Sequence, residues 1–265
     1  MRTGFIGSIV VGTAALAALA VTSGLLAQSA ARSATAKADL SGIWNRRAVS
    51  DRFGNFADDP GGVPFLGFGK GVPPLRSEGM DKYKANRQGI ADARAKGRDD
   101  LDPLSSCFPP GPARIFTLPR PFEIRQTPDT VYILSEFDHV VRRIYVDGRV
   151  TPEGYPNVWM GYSTGKYEGD TLAVNTTAIS DQTWIDSLGT PHSEDLHLTE
   201  RFRRVNQNTL EIEFTFDDPK TFTKPWTGKK VFQLQPPGFE MKEHVICEEH
   251  RKLGLRKDGY EFIRQ

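Results

Sequence analysis

From Ile115 onward the chain breaks into short runs of alternating β-branched and aromatic residues, each closed by a turn. Alternation with a period of two builds strands with one buried face. Three turn-plus-strand units recur: Pro128-Asp129-Thr130-Val131-Tyr132-Ile133, Gly169-Asp170-Thr171-Leu172-Ala173-Val174 and Gln207-Asn208-Thr209-Leu210-Glu211-Ile212. Their spacing of about 40 residues suits the hairpins of an antiparallel meander, and superficially the blades of a propeller. Three copies behind a long lead-in favour one barrel or curved sheet. About nine strand candidates follow residue 115 and one precedes it, and that many antiparallel strands lose their unpaired edges by closing on themselves. The expected fold is mostly β, an antiparallel barrel or curved meander with one surface helix and a long N-terminal loop.

The helix is expected over residues 77–97, with Ser77 as N-cap, Gly97 as the stop and a thin apolar face. Before it, residues 47–74 are rich in Gly, Pro and Asp yet carry Phe53, Phe56, Phe65 and Phe68, which marks an ordered loop or lid. Residues 39–45 form the first strand. The division is a signal segment at 1–31, an N-terminal strand, loop and helix at 32–106, and the barrel at 107–265.

The first residues, Met1-Arg2-Thr3-Gly4, lead into an apolar stretch from Phe5 to Ala27 followed by small residues, the pattern of a cleaved export signal. Its length also approaches that of a single membrane anchor, but Gly, Ser and Thr dilute it. A periplasmic or secreted protein without stable membrane insertion is expected. Lys and Arg number 34 against 33 Asp and Glu, and removing 1–31 takes away Arg2 alone among them. A neutral chain has no electrostatic case for nucleic acid, and a 38% hydrophobic fraction fits one domain with a sizeable core. Outside the cell, Cys107 and Cys247 are expected to form one disulfide, worth roughly 5 kcal/mol in the chain-entropy model.

Chemistry concentrates in residues 181–201, DQTWIDSLGTPHSEDLHLTER. His192 and His197 bring rings that titrate near neutral pH, Asp181 and Asp186 can orient them, and Arg201 can hold an anion. Along the strand from Leu196, alternation sets Leu196, Leu198, Glu200 and Phe202 on one face and His197, Thr199, Arg201 and Arg203 on the other. If the polar face lines the lumen, His197 and Arg201 line a pocket; otherwise that face simply meets water. His139 and Arg143 share a second polar face, with Asp138 and Arg142 opposite. Trp159, Tyr162 and Trp184 can supply walls for a ligand, although each equally suits a core. On a strand, His192 and His197 would lie roughly 17 Å apart on opposite sides, which argues against a metal centre. Gly161-Tyr162-Ser163-Thr164-Gly165 fits the Gly-x-Ser-x-Gly string, but the strand that follows is the wrong context for a nucleophile elbow. Dinucleotide, Walker, haem and iron–sulfur signatures are missing, so no cofactor is expected.

Arg142-Arg143-Ile144-Tyr145-Val146-Asp147-Gly148-Arg149, Trp159-Met160-Gly161-x-Ser163-x-Gly165, Glu168-Gly169-Asp170-Thr171-Leu172 and Pro191-His192-Ser193-Glu194-x-Leu196-His197-x-x-Glu200-Arg201 together resemble a widespread group of exported bacterial proteins, over about residues 101–249. The resemblance implies export and a β-rich fold, and names no activity. Gly42-x-Trp44 in the first strand resembles the opening of lipocalins and other calycins. The expectation is therefore an exported, cofactor-independent enzyme working on a small organic molecule by His/carboxylate proton transfer in an elimination, isomerisation or hydrolysis. The alternative is a lipocalin-like carrier of an apolar ligand.

Overall fold

The computed structural model describes residues 38–46, 64–96 and 102–243. The export signal, Phe53, Phe56, His244 and Cys247 lie outside the described residues, and with Cys247 so does the expected bridge to Cys107. Nine strands close a barrel in chain order among the described residues: β1 Gly42–Asn45, β2 Phe122–Gln126, β3 Thr130–Ser135, β4 Val141–Tyr145, β5 Tyr162–Glu168, β6 Thr171–Thr177, β7 His197–Asn206, β8 Thr209–Asp217 and β9 Trp226–Leu234. The three repeated units are the hairpin turns that enter β3, β6 and β8, so the fold is the mostly β barrel that the alternation predicts.

An odd number of strands cannot alternate direction all the way round a closed ring. One neighbouring pair must run parallel, and it is β4 with β5, paired only at Ile144↔Ser163 and Tyr145↔Thr164. A parallel pair needs a long return connection, which residues 146–161 supply. The seam between β4 and β5 is as sparse as that between β1 and β9, which pair only at Trp44↔Leu234 and Asn45↔Gln233, whereas β7 and β8 pair from His197↔Asp217 to Asn206↔Thr209.

Alternation sends Ile124, Val131, Ile133, Ile144, Leu172, Val174, Leu198, Phe202, Leu210, Ile212, Phe214 and Phe232 into the core. Two loops fill what remains. The 3-10 turn Arg114–Phe116 is wholly buried, and the Phe116 ring lies 5.2 Å from Phe122, 5.9 Å from Phe202, 5.6 Å from Phe214 and 5.9 Å from Phe232. Phe68 enters against Phe214 at 4.6 Å and Phe216 at 5.1 Å. Gly228 permits this approach, since a Cβ there would stand 2.5 Å from the Phe68 Cβ. The lumen is a packed core.

Helix α1 spans Ser77–Lys96. Gly79, Tyr83, Asn86, Ile90 and Ala93, spaced four and three apart, form its covered stripe. That stripe sits on the loop after β6: the Asn86 side-chain amide donates to the Gly189 carbonyl at 2.9 Å, and Gly189 has no Cβ to push Asn86 away. The helix thus clamps the segment where the sequence concentrates its histidines.

Candidate functional site

Three polar assemblies are separable. The first lies inside the barrel. On β7 the inward residues are Leu198, Glu200 and Phe202, while His197 and Arg201 are exposed on the outer face. A pocket lined by His197 and Arg201 inside the lumen is therefore corrected: the aromatic core claims the apolar face, and the polar face takes water. Glu200 can enter that core because Arg142, on the opposite face of β4 from the exposed Arg143, is buried too. Its guanidinium forks onto Glu200, with Nη1 to Oε1 at 2.8 Å and Nη2 to Oε2. It also donates to Ser163 Oγ, Thr176 Oγ1 and the Pro112 carbonyl. Ser163 is thus an interior hydroxyl bonded to Thr176 at 2.9 Å. The glycines of its motif serve packing: at Gly161, φ is +62° and a Cβ would press on the Thr177 carbonyl at 2.7 Å.

The second assembly is the loop under α1. Asp186 is buried and accepts from the amides of Leu188 and Thr190 and from the Thr190 hydroxyl. Burial raises its pKa despite those bonds. It holds a turn rather than a histidine, so an orienting role for Asp186 is not what its contacts support. Trp184 is buried with the Arg114 guanidinium 5.1 Å above it, and Arg114 forks onto Asp102. Cys107 ends the neighbouring 3-10 turn, Pro103–Ser106, with φ +62°.

His192 is buried in the same loop. Its Nδ1 lies 2.9 Å from the Ser193 carbonyl, which assigns the ring proton there, and Nε2 accepts from Thr183 Oγ1 at 2.8 Å. Burial lowers its pKa, against Ser193, Asp218 and the exposed Asp181, which favour the charged form. A folded pKa below the unfolded value of about 6.5 means the unfolded chain binds the extra proton first. The stability His192 contributes is thus present above that pH and falls as pH drops toward the folded pKa. We expect His192→Gln to flatten the loss of stability as pH falls below about 6.5, read from urea midpoints; an unchanged slope would assign it to other groups. Asp218 tightens the loop from β8. Burial pushes its carboxyl up, but hydrogen bonds from Ser193 and Thr221 prevail and lower its pKa.

The third assembly is on the outer surface. A cavity of about 420 Å³ is lined by Thr177, Ala178, Glu194, Asp195, Leu196, His197, Asp217 and Pro219. His197 is directly opposite Asp217 in the β7–β8 register, which sets their Cβ atoms roughly 5 Å apart on one face. Asp217 escapes sequence reasoning, because Asp217-Asp218-Pro219 reads as a turn.

The remaining expected residues lie apart. Arg201 is about 13 Å along β7 from His197 and pairs with Glu168 at 2.8 Å, so it cannot steady an anion in the groove. His139 is exposed with φ +51°, next to Asp138 at φ +51°, and serves the β3–β4 turn. Arg143 is exposed on the outer face of β4. Trp159 lies against Phe108, their ring centroids 4.6 Å apart and the planes tilted by 33°. Tyr162 is covered by Tyr145 and Tyr155. No three His, Cys, Asp or Glu side chains among the described residues are placed to hold a metal ion. No protein-family model, curated protein or solved structure matches this chain.

Proposed function

We propose that this protein is an exported enzyme that moves a proton on a small organic substrate in the groove beside His197, with Asp217 orienting the ring. The observation that carries the reading is the meeting of His197 with Asp217, Glu194 and Asp195 in one cavity. An imidazole is suited to proton transfer near neutral pH, and a carboxylate on one ring nitrogen directs the other toward a substrate. Elimination, isomerisation and hydrolysis all fit such a pair. A carrier would need its ligand in the lumen, and Phe68, Phe116, Phe122, Phe214 and Phe232 fill that space.

The test is incubation of the protein with a host metabolite extract, followed by mass spectrometry, beside His197→Ala. A positioned histidine supplies about 10²–10⁴-fold of rate, and a loss of that size is expected in the variant. Asp217→Asn should retain part of the activity. Conversion that His197→Ala performs as well as the parent would sink the proposal.

A further inference from the structure

The groove beside His197 takes its walls from two separate parts of the chain. Glu194, Asp195 and Leu196 come from the turn that leads into β7, and Asp217 and Pro219 from the end of β8. Backbone pairing fixes these walls only in part. His197↔Asp217 is the last pair of the β7–β8 ladder, so the turn before His197 lies beyond the reach of that ladder.

Ser193 and Asp218 supply the missing link. The Ser193 amide donates to Asp218 Oδ2 at 2.7 Å, and its hydroxyl donates to Oδ1 at 2.8 Å. The same hydroxyl oxygen accepts from the Asp195 amide at 3.2 Å. The Ser193 carbonyl accepts from the Leu196 amide at 3.2 Å and from His192 Nδ1 at 2.9 Å. Each polar group of Ser193 is thereby engaged. On the β8 side, Asp218 Oδ1 also accepts from the amides of Lys220 and Thr221, both at 3.1 Å. A second link, the ion pair of Lys220 with Asp195 at 2.9 Å, spans the same walls, but its side chains are 68% and 44% exposed. Pairs that open to water hold little. Asp218 is 1% exposed, and bonds to a buried carboxylate are about twice as strong as neutral ones.

We infer that Ser193 and Asp218 are positioning residues of the groove, setting Glu194 and Asp195 against Asp217 and so holding the carboxylates around His197 in one arrangement. Neither lines the groove itself; both act through the residues next to them in the chain. Asp218 turns inward and anchors the peptide from which Asp217 points out, while Ser193 ties down the amide of Asp195. The inference rests on the reading of the groove as the working site and adds the pair on which its geometry depends.

Ser193→Ala removes the hydroxyl's bonds to Asp218 and Asp195 and leaves the backbone bonds in place. Conversion in the host extract should fall about ten- to hundredfold, the scale set by displacing a working group by about 1 Å. Ser193→Thr, which keeps the hydroxyl, should return toward the parent rate. Asp218→Asn has the same shape but offers one oxygen where Ser193 needs two acceptors, and should fall as Ser193→Ala does. The pH–rate profile separates positioning from folding: a smaller folded fraction lowers the whole profile evenly, whereas a displaced Asp217 changes its shape. Without any substrate, amide NMR of Ser193→Ala should show shifts gathered at Asp195, His197 and Asp217, with Phe202 and Phe214 in the core unmoved. The inference is overturned if those shifts are missing, or if the rate falls only in step with the folded fraction and the profile keeps its shape. Conversion that is lost in His197→Ala but kept in both Ser193→Ala and Asp218→Asn would overturn this inference and leave the proposed function standing. Conversion indifferent to His197→Ala, with the expected shifts present, would overturn the proposed function and leave Ser193 and Asp218 as the clasp of a groove without that chemistry.

Discussion

Arg142→Ala should destabilise the barrel by about 3–5 kcal/mol, the cost of stranding one partner of a buried ion pair. The Glu200 carboxylate would remain inside an aromatic core with its two strongest donors gone. The location adds to the effect. Backbone pairing between β4 and β5 amounts to two register pairs, and from β4 the Arg142 side chain reaches Ser163 on β5, Thr176 on β6 and Glu200 on β7. It stitches through the interior a seam that the backbone leaves sparse. Arg142→Met combined with Glu200→Leu should recover most of the loss, because an apolar pair of similar volume carries no desolvation penalty. Urea midpoints of the three proteins decide the point. If Arg142→Ala matches the parent, the pair contributes nothing to closing the barrel.

Phe116→Ala should cost about 3–5 kcal/mol, combining lost transfer energy with the cavity left behind. Four rings, those of Phe122, Phe202, Phe214 and Phe232, lose their shared neighbour, and residues on four different strands cannot all collapse inward. The variant should therefore gain an apolar space and bind a small aromatic such as benzene, which the parent's packed lumen excludes. Calorimetric stability and benzene binding measured on both proteins check the two halves. A loss below about 1 kcal/mol would mean that the turn Arg114–Phe116 is less central to the core than its burial indicates. The same experiment bears on the carrier reading, since it asks whether this barrel can hold a ligand once its plug is shortened.

Much of the architecture is legible in the chain because its signals are local. Alternation and turn residues mark the strands, and the helix follows from a run of good helix formers, although Ser77, expected as its N-cap, is its first residue and Arg76 takes the cap position, its carbonyl accepting from the Met80 amide. Of the phenylalanines in the segment before it, Phe68 inserts among the barrel's aromatic residues. The site was harder to read. The window 181–201 contains the groove's His197, Glu194 and Asp195, but it also contains Asp186 and His192, whose burial turns them into loop supports. Composition treats all of these alike, because burial and hydrogen-bond partners are set by segments distant in sequence.

The sequence by itself determined that alternating runs after Ile115 would form strands, where hairpins would turn, and which residues share a face of β7. Which face looks inward was decided only by the tertiary structure. Period-two alternation is symmetric with respect to inside and outside, and Glu200 could choose the interior only because Arg142 arrives there from β4. The partner of His197 was decided in the same way. Counting straight out from the Gln207-Asn208 turn places His197 opposite Asp218. The irregularity between Arg204 and Asn206 shifts the register by one, so Asp217 faces His197 in the groove while Asp218 turns inward to hold Ser193 and Thr221. One inserted residue exchanges the two faces of a strand, and no local pattern in the sequence announces that it is there.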